Sequence, residues 1–133
     1  EMSRLSGKDT QYIKENLIET ATAFSSKYNV ITVLKDARTI ITSPNGDIYI
    51  NQTGNSSMAK AGSGDVLTGI IAALIAQGID PFTAAFLGTF LHGKAGEYDS
   101  TTLGLHGVME TDIINQIPLV IRDLYGESKK GGK

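Results

Sequence analysis

Gly54-Asn55-Ser56-Ser57-Met58-Ala59-Lys60-Ala61-Gly62-Ser63-Gly64-Asp65-Val66-Leu67-Thr68-Gly69 runs from a glycine-rich loop straight into an apolar helix. Glycines let main-chain N–H groups turn inward with no Cβ in the way, and the first helical turn adds unpaired donors and a partial positive charge. The stretch reads as an anion site in which Gly62, Ser63 and Gly64 act mainly through their amides. Its carboxylate, Asp65, has two readings. One is complementing the helix dipole, worth about 0.3 to 1 kcal/mol. The other follows if a phosphate is bound: two unit charges about 4 Å apart repel by about 4 kcal/mol at an effective dielectric of about 20. A carboxylate in that position then has a task, which is to accept or orient the proton of a hydroxyl attacking the terminal phosphate.

Upstream, Val30-Ile31-Thr32-Val33-Leu34 is a β-branched run that suits a strand covered on both faces, as in a parallel sheet. Lys35-Asp36-Ala37-Arg38-Thr39 follows at its exit. Taken alone this is a solvated turn. Ligands of open parallel sheets bind beyond the carboxyl ends of strands, however, and a lysine there can meet a nucleotide phosphate as a point charge. Before the strand, Tyr12, Ile13, Leu17, Ala21 and Phe24 fall at helical spacing, so one helix is expected over 9–27, with Asp9 or Thr10 as its N-cap. After it, 39–42 and 48–51 flank Ser43-Pro44-Asn45-Gly46-Asp47, a hairpin signal. Helices are expected over 64–76, ended by Gly78, and from Pro81 to about Tyr98, both closely packed and largely buried. Residues 99–109 read as a loop, Thr111 or Asp112 caps a last helix bent at Pro118, and 126–133 reads as a disordered tail.

Composition narrows the function. The 133 residues carry a formal net charge of −2, 41% hydrophobic and 20% charged residues, and no cysteine. One globular domain is expected, with no electrostatic case for nucleic acid or an anionic membrane. Thiolate chemistry and disulfides are excluded, and a cytoplasmic location is compatible. The apolar stretch 66–76 is too short to span a bilayer, which needs about 20 residues. His92, in a helix of small apolar residues, reads as a satisfied buried histidine, and His106 is left open. Two histidines so far apart give no metal pattern. Glu97, Asp99 and Glu110 read as solvated surface carboxylates.

With these residues in view, the chain resembles the ADP- or ATP-dependent NAD(P)H-hydrate dehydratases of the ribokinase-like superfamily. Glu1-Met2-Ser3-Arg4-Leu5 looks like the end of that family's His-Pro-Gly-Glu-Met-x-Arg-Leu segment, and 33–39 is similar to its Val-Leu-Lys-Gly-Ala-Arg-Thr segment. The opening stretch follows its Gly-Asn-Pro-Gly-Met-Ala-Thr-Gly-Gly-Ser-Gly-Asp-Val-Leu-Thr-Gly. The resemblance implies the C-terminal portion of a three-layer α/β/α sandwich, with a mostly parallel sheet plus a β-hairpin. It implies repair of NADH or NADPH hydrated at C6, by phosphorylation of the C6 hydroxyl and loss of phosphate. ADP or ATP would be the co-substrate and Mg2+ the cofactor. Asp65 would be the catalytic and substrate-binding residue, with Gly62, Ser63 and Gly64 as the anion hole. Lys35, Asp36, Ala37, Arg38, Thr39 and Gly64 would contact the nucleotide, and Glu1 would hold the metal through water. The expected partners are the missing N-terminal portion of the domain as a second chain, and further copies in a homo-oligomer. Asp36 departs from the family's glycine, Ser56-Ser57 from Pro-Gly, and Lys60-Ala61 from Thr-Gly. The other readings are a ribokinase-like kinase of a small metabolite, of the hydroxymethylpyrimidine or hydroxyethylthiazole type, and a non-catalytic nucleotide-binding subunit.

Overall fold

A computed structural model describes residues 1–54, 62–103 and 110–130. Helix α1 (Met2–Ser6) stops at Gly7, whose φ of 71° needs no Cβ. The single helix expected over 9–27 is two, α2 (Thr10–Glu15) and α3 (Leu17–Tyr28). Asp9 caps α2 as anticipated, its carboxylate accepting from the amides of Gln11 (2.8 Å) and Tyr12 (3.4 Å). The break is Asn16: its side-chain amide donates to the Tyr12 carbonyl at 2.9 Å while its backbone sits at φ −132° and ψ 46°. A short amide side chain competing for helical carbonyls favours such an interruption.

Strands β1 (Thr32–Leu34), β2 (Ile40–Thr42) and β3 (Ile48–Ile50) form one sheet in the order β1-β2-β3. Both pairings are antiparallel, with Leu34 opposite Ile40 and Ile41 opposite Tyr49. The parallel sheet expected from the run at 30–34 is therefore not what the described strands form. Lys35–Thr39 is too short for the crossover a parallel neighbour requires, so the chain turns back on itself. The 39–51 hairpin is present, with Gly46 at φ 93° in its turn.

One sheet face meets α3. Ser25, fully buried, places its hydroxyl 2.7 Å from both the Thr32 and Thr42 hydroxyls, and Ile13, Ala21, Leu34 and Ile40 pack beside it. The other face meets α5 (Pro81–Leu103), where the Tyr49 and Phe86 rings lie 5.1 Å apart. Helices α4 (Ser63–Ala76) and α6 (Glu110–Lys130) flank α5 around Leu91, Ala95, Ile113 and Val120. The result is helices, sheet, helices in three layers.

Three further expectations are corrected. Helix α5 extends to Leu103, into the predicted loop, while 104–109 lie outside the described residues. Helix α6 continues through Lys130, past the point where the polar tail was expected to begin, and 131–133 lie outside the described residues. Helix α4 packs closely against α5, since a Cβ at Gly88 would come within 2.8 Å of the Ile71 side chain. Yet only Ser63 and Leu67 of α4 are buried, and its far side is open.

Candidate active site

The start of α4 is built as the sequence suggests. Gly62 precedes it at φ 88°, and its carbonyl accepts from the amides of Asp65 (2.9 Å) and Val66 (3.2 Å). Among the described residues no side chain caps this end. An apolar helix opening on glycine leaves its first-turn amides without a competing carboxylate or hydroxyl, which is the arrangement that suits an anion. Asp65 is exposed and lies on the rim of an apolar groove of about 650 Å³ between α4 and α6, lined by Val66, Ile70, Leu74, Ile117 and Ile121.

Lys35 reaches this place from the other side. Its Nζ lies 3.4 Å from where a Cβ on Gly64 would stand, so the ammonium rests directly against the glycine. Lys35, Asp36, Ala37 and Arg38 are exposed and Thr39 is half-buried. The Thr39 carbonyl accepts from the Asn51 amide at 2.9 Å, which closes the turn against the exit of β3. Glu1 and Asp36 line the same groove as Lys35, a space of about 440 Å³ beside α1, α2 and β1. The structure thus brings Lys35 to Gly64 and gathers Glu1 and Asp36 near Lys35. For Ala37 and Arg38 it shows only an exposed bend.

Helix α5 supports the site from beneath. His92 is buried as expected, with Nε2 3.2 Å from the hydroxyl of Ser63, itself 1% exposed. Burial, then the nearby Lys35 charge, pushes the imidazole down to about 4, against a smaller upward pull from the Ser63 main chain. Glu97 is no free surface carboxylate. Its Oε1 accepts from the Gly54 amide at 2.8 Å and its Oε2 pairs with Lys94 at 2.8 Å. Burial raises its carboxyl, but the hydrogen bonds from Lys94 and Gly54 and the Lys94 charge outweigh that and hold it below its ordinary value. Thr53 donates to the Phe90 carbonyl at 3.0 Å, and a Cβ on Gly93 would overlap Thr53.

Sequence reasoning missed the roles of His92 and Glu97 as anchors of the glycine segment. The signal was faint: a histidine and a glutamate in a helix otherwise made of small residues. Asn55 to Ala61, with the Ser56-Ser57 and Lys60-Ala61 departures, and His106 lie outside the described residues, as do the side chains of Asp99 and Glu110. Among the described residues no group of three His, Cys, Asp or Glu stands ready for a metal, and no helix is long and apolar enough to cross a membrane.

The chain was compared with known proteins. A family model described as NAD(P)H-hydrate dehydratase matches residues 1–119. A bifunctional NAD(P)H-hydrate repair enzyme Nnr of Moorella thermoacetica is 46% identical over 127 residues, which cover 96% of this chain and 24% of that protein. The ADP-dependent (S)-NAD(P)H-hydrate dehydratase of Neisseria meningitidis is 37% identical over 105 residues, covering 79% of this chain and 36% of that one. Among solved structures, the ADP/ATP-dependent NAD(P)H-hydrate dehydratase of Bacillus subtilis co-crystallised with ATP/Mg2+ superposes with a TM-score of 0.87 at 29% identity, covering 91% of this chain and 44% of that one. A ribokinase-like superfamily protein of Enterococcus faecalis superposes at 0.67 with 31% identity, covering 79% of this chain and 36% of that one. The fold is ribokinase-like, and the chain spans less than half the length of each of these relatives.

Proposed function

The chain belongs to the NAD(P)H-hydrate dehydratase family, and on that premise we propose that the protein carrying it restores NADH or NADPH from the C6-hydrated form, with ADP or ATP as phosphoryl donor. The observation that carries this reading is the contact of the Lys35 ammonium with Gly64, one residue before Asp65, at a helix start that opens on a glycine. Cation, amides and carboxylate are the three parts a phosphoryl transfer to a hydroxyl requires.

In the proposed sequence Asp65 takes the proton of the C6 hydroxyl as that oxygen forms a bond to the terminal phosphorus of the nucleotide. The bond from that phosphorus to the nucleotide's bridging oxygen breaks. The C6–O bond then breaks with phosphate leaving, a proton departs from C5, and the ring double bond returns. Hydroxide is a poor leaving group and phosphate a good one, which explains the cost of a nucleotide. The amides of Gly62, Ser63 and Gly64 hold the transferring group, Lys35 offsets its charge, and Asp36 to Thr39 border the nucleotide. Glu1, in the same groove as Lys35, supplies a hard oxygen donor of the kind Mg2+ accepts through water in company with nucleotide phosphates. When bound, the ion would neutralise phosphate charge.

The remainder of the pocket is assigned to the part of the domain that the relatives have beyond this chain's match. Among the described residues β1 pairs on one edge only, and the groove beside it offers that part a place to dock. A cytoplasmic location and assembly into homo-oligomers belong to the same proposal. The test is turnover of hydrated NADH with ADP or ATP by the Asp65→Asn variant beside the wild type. Undiminished turnover in the variant would remove Asp65 as the base.

A further inference from the structure

We propose that His92 is a positioning residue for the phosphoryl transfer: through Ser63 it fixes the turn that presents the Gly64 amide and the Asp65 carboxylate. The inference rests on the reaction proposed above and goes beyond it, since His92 touches neither nucleotide nor hydroxyl in that scheme. Three observations carry it. Ser63 is buried at the start of α4, and its hydroxyl lies 3.2 Å from His92 Nε2. His92 stands at 5% exposure in the middle of α5, so its ring is packed on all sides. On the same helix Glu97 accepts from the Gly54 amide and Phe90 from the Thr53 hydroxyl. One helix therefore grips both flanks of the glycine segment, Gly54 on one side and Ser63 on the other.

The protonation state of His92 matters for this grip. The Ser63 hydroxyl can donate to a neutral Nε2 or accept from a protonated one, so the contact itself survives either state, while an imidazolium adds a buried charge. Among the described residues, Ser63 from α4 lies at hydrogen-bond distance from the ring, and the Lys35 ammonium from the turn after β1 is near enough for its charge to be felt there. A second positive charge near Lys35, buried and with no carboxylate among the described residues to offset it, would act against the close approach of the two segments. The neutral ring instead lets Lys35 approach Gly64 as closely as the geometry shows.

The experiment compares His92→Ala, His92→Gln and Ser63→Ala with the wild-type protein in its full length, by kcat and KM for ADP and by amide hydrogen exchange at Gly64 and Asp65. His92→Ala and Ser63→Ala are expected to lower kcat by about 10- to 100-fold, as misplacement of a reacting group does, with little change in KM. The double variant should lose no more than either single one, because both break one contact. His92→Gln, whose amide can still meet Ser63, should recover most of the rate. Exchange at Gly64 and Asp65 should quicken in the two alanine variants. If His92→Ala does not fold, Ser63→Ala, which removes one oxygen, carries the comparison with His92→Gln. Wild-type kcat and exchange in every variant, or losses that multiply, would overturn the positioning role and leave the proposed reaction intact. A wild type inert toward hydrated NADH, with faster exchange in the alanine variants, would overturn the reaction and leave the His92 tether standing.

Discussion

The two segments that meet at the site are held in opposite ways. Lys35 to Arg38 is an exposed bend at the end of a three-residue strand, with its cation on a long flexible arm. Ser63 to Asp65 opens a helix whose first residue is buried and bonded to a buried histidine. A point charge tolerates motion because its field falls off slowly, whereas amides and a proton acceptor act only at hydrogen-bond distance and must be placed. On the proposed reaction the difference is a division of labour, with the bend recruiting the nucleotide and the braced turn carrying the chemistry. Changes on the braced side should act on kcat or on stability. Changes on the bend should act on nucleotide affinity.

The largest expected break in this comparison is Asp65→Asn, which removes the proposed proton acceptor and should lower kcat by about 10²- to 10⁴-fold, read by steady-state kinetics, with KM for the nucleotide nearly unchanged. Acidification comes next. The folded His92 titrates at about 4, below its ordinary 6.5. Because the unfolded chain binds that proton first, the stability contributed by the neutral ring is fully present above about pH 6.5 and is lost as pH falls through about 4. The loss is bounded at about 3 kcal/mol. Urea unfolding of wild type and His92→Gln between pH 7 and 4 should show a steeper decline in the wild type, and parallel declines would contradict it.

Smaller effects probe the brace and the bend. Gly93→Ala sets a methyl into Thr53, backbone included, and should cost about 1 to 3 kcal/mol in thermal unfolding. Lys35→Ala should weaken ADP binding about tenfold by titration calorimetry, more at low salt than at high, with kcat altered much less. An equal fall in kcat would mean the lysine also works on the transition state. Asp36→Gly, which restores the family's residue on an exposed bend, should strengthen nucleotide binding by no more than about fivefold.

Much of this was legible beforehand, and the failures have physical reasons. The β-branched run at 30–34 correctly signalled a strand, but burial on two faces says nothing of a neighbour's direction. The shortness of Lys35–Thr39 did, and it forces the antiparallel return. Apolar spacing over 9–27 was right on both sides of Asn16, where one side-chain amide outcompeted helical continuity. The Ala- and Gly-rich composition of α4 and α5 announced close approach, which Gly88 against Ile71 confirms. It could not tell that α4 would show one side to solvent. The resemblance named Lys35 and Gly64 as contacts of one nucleotide, and their closeness is what the structure adds. The anchoring by His92 and Glu97 was not, because their partners lie 29 and 43 residues away and periodicity carries no such information.

The most direct test of the central claim is the fate of hydrated NADH incubated with the protein, ADP and Mg2+, followed by dihydronicotinamide absorbance and released phosphate together. The account predicts that absorbance returns, with one phosphate freed for each NADH restored. A phosphorylated alcohol that accumulates with no return of absorbance would contradict it and assign the site to a kinase of small metabolites.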